Sequence, residues 1–132
     1  MAEHPNIAIV GKAYEAFAAN DIETVRDTIA EDATWHVGGY NPFSGEYKGR
    51  DEILGFFASI AQDTGGTLRF EVHGVLADDE HAVVMVREQA ERKGKGLDAR
   101  EVHVYHVNRE GQATEFWEFT EDQRSYDAFW SA

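Results

Sequence analysis

The chain has 132 residues, 42 % hydrophobic and 12 % aromatic, enough to bury one core and too apolar for a disordered segment. Its 25 Asp and Glu against 12 Lys and Arg leave a formal charge of −13, which repels nucleic-acid phosphate and anionic lipid alike. It contains no cysteine, which removes disulfides, thiolate nucleophiles and thiolate metal sites together.

In chain order, Pro5 opens a helix whose Ile7, Val10, Tyr14 and Phe17 recur at helical spacing. Asn20-Asp21 breaks it, and Asp21 caps a second helix carrying Ile22, Val25 and Ile29. A short strand at 33–37 leads into a loop at 38–49, where Asn41-Pro42 and Ser44-Gly45 are turn signals. A third helix has Asp51 and Glu52 in its first turn and Ile53, Phe56, Phe57 and Ile60 on one side. Four strands follow, at 68–76, 82–92, 97–108 and 113–120, joined by turns suited to hairpins. The basic stretch Arg92-Lys93-Gly94-Lys95 is read as a solvated turn, and Asp122 as the cap of a last helix carrying Tyr126, Phe129 and Trp130. No run reaches the ~18 apolar residues of a membrane span. Residues 1–5 lack the basic start and apolar centre of a signal peptide, so a cytoplasmic location is expected. Helices segregated from hairpins predict an α+β class, with residues 1–132 forming one domain and a curved sheet enclosing a pocket against its helices.

Strand parity sorts the hairpins into two faces. Pairing Val107 with Gln112 and Arg92 with Leu97 sets Val86 opposite His103, Glu88 opposite Glu101, His103 opposite Phe116, and Glu101 opposite Glu118. One face then carries Val84, Val86, Glu88, Glu101, His103, Tyr105, Phe116 and Glu118. The other carries Val83, Met85, Arg87, Val102, Val104, His106, Trp117 and Phe119. The second is the more apolar, and pattern alone is compatible with either face being the core.

Several strings in this order resemble the nuclear transport factor 2-like superfamily, in its SnoaL-like and ketosteroid-isomerase-like branch. They are Tyr14-Glu15-Ala16-Phe17 before Asn20-Asp21, Asp32-Ala33-Thr34-Trp35-His36, Tyr47-Lys48-Gly49-Arg50-Asp51, Glu101-Val102-His103-Val104-Tyr105 and Glu115-Phe116-Trp117-Glu118-Phe119. The resemblance implies a cone-shaped, curved antiparallel sheet with helices over its concave face, and a pocket onto which the His103 and Glu118 face opens. It does not carry over ketosteroid isomerase chemistry. Val37 stands where that branch has its aspartate base, His103 where it has a protonated aspartic acid, and Ala13, one residue before Tyr14, where it has a tyrosine. Limonene epoxide hydrolases pair two acids with an arginine; Glu88 and Glu118 match the acids, but Val86 stands in place of the arginine.

On that assignment the pocket is lined by Trp35, Val37, Phe57, Val86, Glu101, Tyr105 and Phe116. Glu118 or Glu88 is the expected general base and His103 the polarising group, because carboxylates crowded in an enclosed space are raised towards neutral pH. His36 has the opposite parity from Trp35 and is a weaker candidate. The expected activity is isomerisation, proton abstraction or hydrolytic addition on a small apolar organic molecule, with no cofactor and no metal. A non-catalytic ligand-binding domain or a protein-interaction domain is the alternative. The apolar Trp117 and Phe119 face is expected to be covered in a homodimer.

Overall fold

The computed structural model describes residues 3–131. Its elements run α1 (Pro5–Ala18), α2 (Ile22–Asp27), β1 (Ile29–Val37), β2 (Gly45–Lys48), α3 (Arg50–Asp63), β3 (Arg69–Ala77), β4 (His81–Arg92), β5 (Lys95–Val107), β6 (Ala113–Thr120) and α4 (Gln123–Trp130). The helix starts follow from their caps. Pro5 lies in the first turn of α1, Asp21 accepts the Thr24 N–H at the head of α2, and Asp122 accepts that of Ser125 at the head of α4. Two segments differ from the sequence expectation. Ile29 opens β1 instead of continuing α2, because it pairs with Ala113 and is buried there. The loop at 38–49 holds β2, a four-residue edge strand whose Tyr47 pairs with Trp35 and whose polar residues masked it.

The sheet order is β2-β1-β6-β5-β4-β3. All neighbours are antiparallel except β1 and β6, which pair in parallel and correct the expectation of a wholly antiparallel sheet. The long excursion through β2, α3 and the hairpins lets the chain return beside β1 in the same direction. Three helices cover one face of this curved, unclosed sheet. Val10 of α1 packs with Ala82, Val84 and Val86, Ile53 of α3 with Ala33 and Phe116, and Phe129 of α4 with Leu97 and Ala99.

Register differs from expectation by two residues in both hairpins. Arg92 pairs with Lys95 across Lys93-Gly94, whose φ values of 50° and 76° make a tight two-residue turn. An irregularity between His106 and Val107 shifts β6 as well. His103 therefore faces Val84 on one side and Glu118 on the other, while Glu101 faces Val86 and Thr120. A slip of two preserves every side-chain face, where a slip of one would have inverted them all. Val84, Val86, Glu88, Glu101, His103 and Phe116 are buried, whereas Met85, Val102 and Phe119 are 40 %, 36 % and 58 % exposed.

The basic turn is not simply solvated. Arg92 is buried, pairs with Asp63, and donates to the Phe129 and Ser131 carbonyls at 3.1 and 2.8 Å. Lys95 donates to the carbonyls of Ala128 and Ser131. Both cations thus sit at the C-terminal end of α4, where a helix favours positive charge, and clamp it over β4 and β5. No helix among the described residues is long and apolar enough to cross a membrane.

Candidate functional site

A cavity of about 110 Å³ lies between the helices and the buried sheet face. One water needs only about 10–15 Å³, so this is more than a packing defect. Eleven of its lining residues are Phe, Tyr or Trp. Trp35 stacks on Phe116 at 4.8 Å and meets Phe57 and Tyr105 edge-on at 5.9 and 6.0 Å. Trp35, Val37, Phe57, Tyr105 and Phe116 are all on the wall, and Glu88, His103 and Glu118 form its polar end. Two residues expected in the lining do not reach it. Val86 lies under α1 among Val10, Ala82 and Val84, and Glu101 is covered against His103 with its side chain fully buried.

The polar end is a connected network. His103 Nε2 lies 2.9 Å from Glu101 Oε1 and 3.4 Å from Glu118 Oε2. Its Nδ1 shares a hydrogen bond of 2.6 Å with the Tyr14 hydroxyl, which shares another of 2.6 Å with the Tyr105 hydroxyl. Tyr126 of α4 donates to Glu88 at 3.1 Å. Glu118 therefore sits directly beside His103, one strand across, where the expected register had it opposite Glu101.

Tyr14 and Tyr126 were absent from the site read in the sequence. Each was counted in the apolar stripe of its helix, and only the packing of α1 and α4 onto the sheet turns the two hydroxyls towards the acids. By resemblance the isomerase tyrosine position falls on Ala13, and it is the next residue, Tyr14, whose hydroxyl meets His103. The available signal was a hydroxyl-bearing ring in a stripe otherwise made of Ile7, Val10 and Phe17.

Burial, with the Glu118 charge next, pushes Glu101 up to about 9. The same two causes in the same order push Glu88 well above the ordinary carboxylate range. Burial likewise raises Tyr14, Tyr105 and Tyr126 above the usual phenol range, and the Glu118 charge adds to each. The cluster thus holds bound protons beside a cavity-facing carboxylate, an arrangement suited to moving one proton in and another out. Glu101, His103 and Glu118 also offer ligand atoms within 4.8 Å of one another, the residues that could hold a divalent ion. His36 points outward, 2.7 Å from Glu115, with its ring stacked on Trp117.

The SnoaL-like domain family matches residues 10–116. Rv0034 of Mycobacterium tuberculosis (strain H37Rv) is 28 % identical over 132 residues, covering 99 % of this chain and 100 % of its own. The structure of Bal32a, from a soil-derived mobile gene cassette, has a TM-score of 0.90 at 32 % identity and covers 95 % of both chains. An NTF2-like protein from Burkholderia pseudomallei K96243 has a TM-score of 0.84 at 24 % identity, covering 96 % of this chain and 98 % of that one, a likeness of fold.

Proposed function

Given that this chain belongs to the SnoaL-like domain family, we propose that its cavity takes a small, largely apolar organic molecule and performs acid–base chemistry on it with side chains alone. The reaction class is proton abstraction from a carbon beside a carbonyl, continued as an isomerisation or a hydrolytic addition. Glu118 accepts the proton. His103, held by Tyr14, polarises the carbonyl oxygen, and Glu88 supplies the returning proton. The observation that carries this reading is the alignment of Glu118, His103 and Tyr14 at the cavity's one polar end, beside Glu88, with Glu101 behind His103. Val37 on the cavity wall leaves no aspartate base of the ketosteroid isomerase kind at that position.

The test is exchange of α-hydrogens in 2-indanone, a neutral ketone whose α-hydrogens are benzylic, followed by NMR in D2O. Wild type should accelerate exchange, and Glu118→Gln should lose at least ~100-fold of that acceleration, the scale of one general base. A ketone that binds without accelerated exchange would favour a non-catalytic ligand-binding domain. The extent of the apolar wall is what supports that second reading.

A homodimer through the outer sheet face goes with this proposal. Phe119, Met85 and Val102 stand exposed there around Trp117, which lies between the rings of His36 and His106. A second copy is the natural cover for such a patch. A cytoplasmic setting belongs to the same proposal, and the cysteine-free composition is compatible with it.

A further inference from the structure

We infer that the molecule held in this cavity carries a positively charged nitrogen, with its apolar body on the aromatic wall and its cationic head beside Glu118. The inference rests on the cavity reading above and narrows the ligand's class.

Charge balance comes first. Glu88 and Glu118 enter the cavity, and among the described residues no Lys or Arg lines it. The one ion-pair partner of Glu118 among the described residues is His103, at 3.4 Å, and His103 is already closer to Glu101. The second oxygen of Glu101, fully buried, has no hydrogen-bond partner among the described residues. A carboxylate taken out of water is costly unless paired, and among the described residues one histidine, already closer to Glu101, is all that faces Glu118.

The wall is complementary to the same ligand. Ring faces attract organic cations, best when water is excluded, and Phe116, stacked on Trp35, meets the ring of His103 at 5.2 Å. A net charge of −13 concentrates cations near the protein and disfavours anions before either reaches the cavity. An anionic ligand would meet carboxylates with no cation to receive it. A neutral one would satisfy the wall and leave Glu118 unpaired. The pairing is also compatible with the proposed chemistry, because a positive nitrogen acidifies the C–H bond next to it.

The test compares three ligands of one shape: 2-phenylethylamine, 2-phenylethanol and phenylacetate. Binding to the wild-type protein is measured at pH 7 by calorimetry and tryptophan fluorescence, with EDTA present so that no divalent ion occupies Glu101, His103 and Glu118. The amine should bind at least tenfold more tightly than the alcohol, and the acid should show no binding. In Glu118→Gln, with the fold checked by circular dichroism, the amine's advantage over the alcohol should fall to about twofold. An alcohol that binds wild type as tightly as the amine overturns the inference and leaves the cavity reading intact. Failure of all three to bind overturns both.

Discussion

Replacing Glu101 by Gln tests whether the buried acid cluster is strained by charge. In the folded protein burial and the Glu118 charge push this carboxyl up to about 9, against 4.5 for an unperturbed glutamate. The folded state therefore keeps a proton that the unfolded chain releases, and rising pH favours unfolding. Stability is undiminished below pH ~4.5 and falls by ~1.4 kcal/mol per pH unit until about pH 9. At pH 7 the accumulated loss is about 3 kcal/mol. Gln has the shape of the neutral acid, can still hydrogen-bond His103, and titrates in neither state. Glu101→Gln should thus equal wild type near pH 4.5 and exceed it by about 3 kcal/mol at pH 7, with the gap still widening at pH 8. Glu88 is raised first by burial and the Glu118 charge and in part by Glu101 itself, so the difference reports Glu101 together with its coupling to Glu88. Urea unfolding at pH 5, 6, 7 and 8, followed by tryptophan fluorescence, measures that gap. A gap independent of pH, or a variant less stable at pH 8 than wild type, would refute the reasoning.

Trp35→Ala removes a buried indole that already borders open volume, so its cost should sit near 3 kcal/mol, the low end of the 3–5 kcal/mol range for large aromatic truncations, as read from urea unfolding. The same residue should dominate fluorescence quenching by 2-phenylethylamine, and Trp35→Phe should abolish most of that quench. Phe119→Asp, 58 % exposed on the outer face, should convert a dimer to a folded monomer in sedimentation velocity; a wild-type monomer at micromolar concentration would remove the dimer proposal. Gly94→Ala places a side chain at φ 76° in the β4–β5 turn and should cost ~1–2 kcal/mol without altering the cavity, measurable as a lowered urea midpoint at unchanged ligand affinity.

Much of the architecture was legible along the chain because it is local. Pro5, Asp21 and Asp122 marked helix starts by the hydrogen bonds their positions can make or forgo, and the alternation of β4, β5 and β6 separated the two sheet faces. That separation held although both hairpin registers were two residues off, since side-chain direction depends on parity alone. Short β2 was missed because four mostly polar residues among turn signals have no periodicity to read.

Which face is inside could not be read from pattern, because the outer face, with Met85, Val102, Trp117 and Phe119, is the more apolar of the two. Tertiary structure decided it: α1, α3 and α4 cover the face that carries Glu88, Glu101, His103 and Glu118, and so enclose ionisable groups that hydrophobicity would have left in water. The two tyrosines that complete the site have the same origin. Tyr14 lies 89 residues from His103 and Tyr126 lies 38 from Glu88, and a helix's own periodicity says which side of it is buried, not which acids it will meet there.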